Sequence, residues 1–163
     1  MKIKHFFLIL LALAVIQLSG AQNAVAVGGD DPASATPMSA QQSADFSDGK
    51  KFIEQENWPE AIVSFSKVIQ ESTKNADALN YLGYAHRQQG DFERAFDIYQ
   101  RALAINPEHK GAHEYVGEAY LQTNNLPKAQ EHLKKLDNLC FFGCAEYTML
   151  KRAIADYKKK QGS

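Results

Sequence analysis

The side chains best suited to chemistry in this sequence lie close together near its C-terminus. Cys140 and Cys144 are the only cysteines, separated by Phe141-Phe142-Gly143. Two thiols at that spacing can form a disulfide, stay as free buried thiols, or serve a metal or redox role. The three-residue gap differs from the two-residue gap of thioredoxin-like motifs, and no histidine follows Cys144 as haem attachment requires. A thiolate metal site would need further ligands, and His109, His113 and His132 are the candidates. His109 and His113 are four apart, which can place both rings on one helical face, but Pro107 puts His109 at the start of any such helix. No Ser-His-Asp order, paired-carboxylate motif, P-loop or dinucleotide fingerprint occurs. The expectation is therefore no catalytic residue, no cofactor and no metal ion.

What positions these side chains is a repeat. Shifting the sequence by 34 residues superimposes Gly49, Gly83 and Gly117, and likewise Ala61, Ala95 and Ala129. The same shift aligns Phe65, Tyr99 and Leu133, then Val68, Ala102 and Leu136. Phe52, His86 and Tyr120 share a column, as do Trp58, Phe92 and Leu126. Six columns in register across three copies mark a repeat array. The copies run over 42–75, 76–109 and 110–143, each carrying two amphipathic helical patterns. The small residues fall where two antiparallel helices cross at about 8–10 Å, a spacing that only short side chains permit. One hairpin cannot bury its own apolar face; stacking three of them can.

The turn chemistry agrees. Gly90 and Asn124 stand where a left-handed residue ends the first helix of a hairpin, and Glu56 shares their column. Asn57, Asp91 and Asn125 follow as N-caps of the second helix, and Asn57 with Glu60 has the spacing of a capping box. Pro59 and Pro127 fall in the first turn, where a missing N–H costs little. Pro107 closes the middle copy. Gly143 reads as the C-cap glycine of the last repeat helix. Beyond it, Tyr147, Leu150, Ile154 and Tyr157 recur at helical spacing, with Lys151, Arg152, Asp156 and Lys158 opposite. This predicts a capping helix over about 145–160.

The pattern resembles the tetratricopeptide repeat (TPR) family over about residues 42–143. The resemblance implies an all-α fold: an α-solenoid of three helical hairpins plus the C-terminal capping helix. The middle copy is nearly complete, with His86 and Leu79 replacing the family's usual tyrosine and tryptophan. Asp45 and Asp48 stand where bulky residues are usual, which suits the polar open end of a solenoid. In the third copy His113 takes the tryptophan position, a buried packing column, and Phe141 the proline position.

The resemblance also implies a concave groove lined by the first helices, with exposed residues at repeat positions 2, 5, 9 and 12. Carried over by position, these include Asp77, Asn80, Tyr84 and Arg87 in the middle copy. Phe46, Lys50 and Ile53 correspond in the first, and Gly111, Glu114, Glu118 and Leu121 in the third. The partner-binding set is Asn80, Tyr84, Arg87, Lys50, Glu114 and Glu118. Such grooves hold extended peptides or helices, and Tyr and Arg are enriched among interface hot spots. One subfamily clamps a C-terminal carboxylate with Lys, Asn and Arg. Here Phe46, Glu114 and Glu118 take positions that clamp needs as Lys or Arg, so a mixed or partly basic ligand is expected.

Upstream, Lys2, Lys4 and His5 precede an apolar run from Phe6 to Ile16, with small residues at Ser19-Gly20-Ala21 and Ala24-Val25-Ala26. That is the pattern of a Sec-type signal peptide, assigned to 1–21. The run is shorter than the roughly 20 residues a membrane span needs, and no cysteine lies nearby for lipid attachment. Residues 22–43 form a polar, Gly- and Pro-broken linker, leaving 44–160 as the repeat domain. The expected location is periplasmic or secreted, without a stable membrane span once the signal is removed, and an oxidising compartment favours a Cys140–Cys144 disulfide. The formal charge of −1, or −3 without the signal, lacks the basic excess of nucleic-acid proteins. Two functions follow as expectations. The first is a scaffold that binds a protein or peptide of the cell envelope. The alternative is a thiol redox or metal-handling protein using the cysteine pair. Self-association through an uncovered repeat end is a further expectation.

Overall fold

In the computed structural model, residues 40–162 are described. The signal peptide assigned to 1–21 and most of the linker assigned to 22–43 lie outside them. The described residues form seven helices: α1 (Ala40–Glu54), α2 (Trp58–Glu71), α3 (Ala76–Gln88), α4 (Phe92–Ile105), α5 (Lys110–Gln122), α6 (Leu126–Leu139) and α7 (Ala145–Gln161). The repeat domain thus starts earlier than the composition suggested, because α1 runs from Ala40 through the end of the expected linker. No described helix is long and apolar enough to cross a membrane.

Caps and turns set the helix limits. Asn75, Asp91 and Asn125 each accept a hydrogen bond from the backbone N–H three residues on, starting α3, α4 and α6. The ring Nδ1 of His109 does the same for α5, accepting from Ala112 at 3.1 Å. Asn57 makes no side-chain cap, so the expected Asn57–Glu60 box is not formed. Pro59, in the first turn of α2, already removes one of the N–H groups that needs a partner. Glu56, Gly90 and Asn124 all adopt the left-handed conformation, at φ 55°, 79° and 59°. Gly143 is left-handed too, at φ 84°, but it does not cap α6. That helix ends at Leu139 with Cys140 as its cap, and Gly143 belongs to the turn beyond.

Within each hairpin the two helices pack on one another, successive hairpins stack, and α7 lies against α5 and α6. The glycine column works by close contact. A Cβ on Gly49 would sit 2.7 Å from the ring of Phe65, and one on Gly83 would sit 2.7 Å from the ring of Tyr99. Both rings are fully buried. The third copy differs: Leu133 is only partly buried, and the atoms facing Gly117 belong to Leu150 of α7, 2.6 Å from such a Cβ. Tyr99 packs between the second and third hairpins with Ala95, Val116 and Ala119. Phe65, Val68, Leu79 and Leu82 fill the first interface, and Leu136, Leu150 and Ile154 the last. Asp45, at the open end, is buried and lies 3.8 Å from Lys67.

Counted in the 34-residue frame, α7 is in register with the first helices. Leu150 falls in the column of Leu82 and Val116, and Ile154 in that of Phe52, His86 and Tyr120. Both are buried. The capping helix thus takes the place that the opening helix of a fourth hairpin would take.

Candidate functional site

Helices α3 and α5 bring the middle and third copies' groove residues together, and the contact between them is tighter than the repeat pattern implied. Arg87 Nη1 donates to Glu118 Oε2 at 2.7 Å and reaches Gln122 Oε1 at 3.5 Å. Its guanidinium also lies 5.1 Å from the ring centroid of Tyr84 and 5.7 Å from that of Tyr115. Tyr84 and Tyr115 are 4.8 Å apart, and Trp58 meets Tyr84 edge-on at 5.8 Å. A ladder of three aromatic rings therefore crosses the repeats, with one cation held against its end.

This arrangement corrects an expectation. Asn80, Arg87 and Glu114 were expected to be solvated groove residues, yet each is only 4% exposed. The cause is local: two first helices one repeat apart close on each other through the Arg87–Glu118 pair and the tyrosines. Tyr84 and Glu118 remain partly accessible. Lys50 is exposed on α1 and takes no part in this network. Burial leaves one amide oxygen, Oδ1 of Asn80, without a hydrogen-bond partner among the described residues. Such an atom costs free energy unless something meets it.

The electrostatics follow from the same burial. Glu114 is pushed up to about 7, first by desolvation, then by the nearby carboxylates Glu118 and Glu146, against the opposing pull of Arg87. Burial raises Tyr115 to about 12, helped by Glu114. Between α5 and α7 a cleft of about 400 Å³ opens beside Arg87, lined by Glu118, Leu121, Asp156 and Tyr157 among others. The Tyr157 hydroxyl ties this end of α7 to Asn124 at 3.3 Å.

The histidines and cysteines have structural partners. His109 accepts at Nδ1 from Ala112, so its Nε2–H donates to Asp77 at 3.0 Å, which holds Asp77 below the usual carboxylate range. His113 donates from Nε2 to the Pro107 carbonyl at 2.9 Å, leaving its Nδ1 to accept from Nδ1–H of His132 at 2.9 Å. Desolvation lowers both rings, His132 to about 4. The sulfurs of Cys140 and Cys144 stand at bonding distance, 2.05 Å, with the Cα atoms 5.5 Å apart. Cys144 also starts α7, its Sγ accepting from the Tyr147 N–H at 3.4 Å.

Sequence reasoning missed Trp58 and Tyr115. Trp58 was legible only as a packing column, and Tyr115 adjoins a groove position without occupying one. Their large aromatic side chains were the available signal.

Comparison with known proteins agrees with this architecture. Residues 54–136, just over half of the chain, match the family model described as "Anaphase-promoting complex, cyclosome, subunit 3". A human protein named Protein O-mannosyl-transferase TMTC3 is 29% identical over 82 residues, half of this chain. The chain spans only 9% of the length of that relative. Among solved structures, the TPR2B domain of yeast Sti1 in a pHsp70 complex superposes with a TM-score of 0.68 at 14% identity, covering 75% of this chain and 99% of that one. The first TPR of Spaghetti (RPAP3), bound to the HSP90 peptide SRMEEVD, gives 0.66 at 18% identity, covering 77% and 97%. Three stacked helical hairpins, small-residue columns at their crossings and a matching family model over the same span place this chain in the tetratricopeptide repeat family.

Proposed function

We propose that the chain is an exported protein-interaction module that holds a peptide segment of an envelope partner along its inner helices, and that it binds rather than catalyses. The observation that carries the reading is the Oδ1 of buried Asn80, which has no hydrogen-bond partner among the described residues, beside the Trp58–Tyr84–Tyr115 ladder. An amide whose oxygen lacks a partner is placed to take a peptide N–H, and aromatic rings alongside supply apolar contact area. One of the superposable TPR domains is described as bound to an HSP90 peptide and another as a pHsp70 complex, which supports the same use of the fold.

The ligand's charge follows from the network. Glu118 neutralises Arg87, Glu146 adds negative charge nearby, and Glu114, held near 7, adds part of another. A partly basic segment fits this face better than an acidic C-terminal one. Cys140 and Cys144, oxidised in the exported protein, join the last repeat to its cap in this reading.

The test is capture of partners from an envelope extract with the wild-type chain and with Asn80→Ser/Tyr84→Ala, both checked for helicity. Arg87 is left intact, because removing it strands Glu118. A partner retained by the wild type and lost by the variant supports the groove. Equal recovery on both, or tight binding of an acidic C-terminal peptide, overturns the reading.

A further inference from the structure

Phe141 and Phe142 are 88% and 97% exposed, the two most exposed large apolar side chains among the described residues. Neither is an accident of a loose loop. Gly143 N–H donates to the Cys140 carbonyl at 2.7 Å, and the cysteine sulfurs close the loop across its base. The two rings brace each other edge-to-face, with centroids 5.2 Å apart. Met149, in the second turn of α7, is also 47% exposed. A rigid tip of this kind holds its aromatic rings in water, where their exposure is unfavourable, and such patches mark contact surfaces.

Charge identifies what the tip contacts. From Leu126 to Gly162 the chain carries eight Lys and Arg against four Asp and Glu, whereas residues 40–125 carry eight against thirteen. The basic excess lies on α6 and α7: Lys134, Lys135, Lys151 and Arg152 are in the halves next to the exposed loop, and Lys128 and Lys158 to Lys160 are at the helix ends away from it. Lys134, Lys135, Lys151 and Arg152 are all exposed. At 1.5 Å per residue they stand about 6–10 Å along α6 and α7 from the loop. That offset matches the depth at which interfacial segments bury apolar side chains, about 5–10 Å below basic residues at the headgroups. The acids nearest the loop are Asp137 and Glu146. Glu146 is partly buried and lies near Glu114 of α5, leaving the four cations to dominate the exposed collar.

We propose that the Cys140–Cys144 loop and the first turns of α7 dock this protein on an anionic lipid surface. Phe141 and Phe142 enter the acyl boundary while Lys134, Lys135, Lys151 and Arg152 meet headgroup phosphates. A protruding aromatic tip needs no matching cavity in a bilayer, and loop closure limits the ordering entropy lost on binding. The docked face lies at the capping end, so the inner helices stay free for the partner proposed above.

The experiment is co-sedimentation of the chain from Gln22 onward, which retains every described helix and core cluster, with vesicles of phosphatidylglycerol and phosphatidylethanolamine. The apolar run Phe6–Ile16 is thereby left out of the measurement. The expected result is binding that falls at least about tenfold in Phe141→Ser/Phe142→Ser, given the apolar area each ring would bury. It should weaken similarly when Lys134, Lys135, Lys151 and Arg152 are changed to Gln, and in high salt. Both variants keep the buried faces, so unchanged thermal unfolding separates lost docking from lost folding. No sedimentation with vesicles, or equal sedimentation of the aromatic variant, overturns the proposal. So does equal binding to uncharged phosphatidylcholine, or a loop that cross-links only to protein in envelope extracts.

Discussion

Glu114 is where solution pH reaches the inner face. Its carboxyl is held near 7 by burial and by Glu118 and Glu146, whereas in an unfolded chain it titrates near the ordinary value of about 4.5. Between those values the unfolded state releases its proton first, so this residue lowers stability as pH rises from about 4.5 to 7. Glu114→Gln should therefore raise the unfolding free energy by about 1–3 kcal/mol at pH 8 and leave it unchanged near pH 4, measured by urea denaturation at both. His113 and His132 act with the opposite sign. Their folded values lie below the usual 6.5, so they remove stability as pH falls from 6.5 toward 4.

Two glycines give a second contrast at this scale. Gly83 faces the buried ring of Tyr99, while Gly90 has open space around it but a left-handed backbone. Gly83→Ala should cost about 1–3 kcal/mol through overpacking. Gly90→Ala should cost only about 1 kcal/mol of backbone strain. Thermal unfolding of the two variants tests the ordering.

Among the elements, α7 has the most to explain. Leu150 is fully buried, facing Gly117 in place of the aromatic ring that the first two copies supply. Leu133 is too short to fill that space alone, and the cap completes it. Leu150→Ala should destabilise by about 2–4 kcal/mol, and amide exchange should rise first in α7 and the facing turns of α5, ahead of α2 and α3. The buried face of this helix was readable from Tyr147, Leu150, Ile154 and Tyr157, because helical periodicity is a local property. Its register with the repeats was equally present in the sequence. It was hidden because the small-residue and capping columns of the earlier copies do not recur within α7.

For the whole molecule, what was legible depended on how far apart the cooperating residues lie. Repeat columns such as Gly49, Gly83 and Gly117 recur along the chain, so the solenoid and its hairpins could be read directly. The inner face could not. Arg87 and Glu118 each occupy a position that is open in an isolated hairpin, and only the closing of α3 on α5 joins a buried Arg87 to a partly accessible Glu118. The capping box at Asn57 is not made, because spacing alone does not fix the Asn57 side chain on the Glu60 N–H. The exposed phenylalanines escaped notice because Phe141 was read as a substitute for a repeat proline and Phe142 carried no pattern at all. The basic excess of α6 and α7 was countable from composition, but it acquired meaning only once α6, α7 and their loop were seen to share one end.

The register of α7 bears on how such a chain changes length. Its buried side uses the same contacts a complete further repeat would use, and its outer side is charged, so it serves as a movable end piece. Inserting a whole 34-residue unit at the seam before Cys144 would present α7 with the kind of surface it already accepts, provided the new unit ends in a short residue like Leu133. Deleting one would do the same in reverse. Insertions or deletions of any other size would throw Leu150 and Ile154 out of their sockets. Growth at this seam is therefore quantised, and each unit added there would move α7 by one step while keeping its buried face in register.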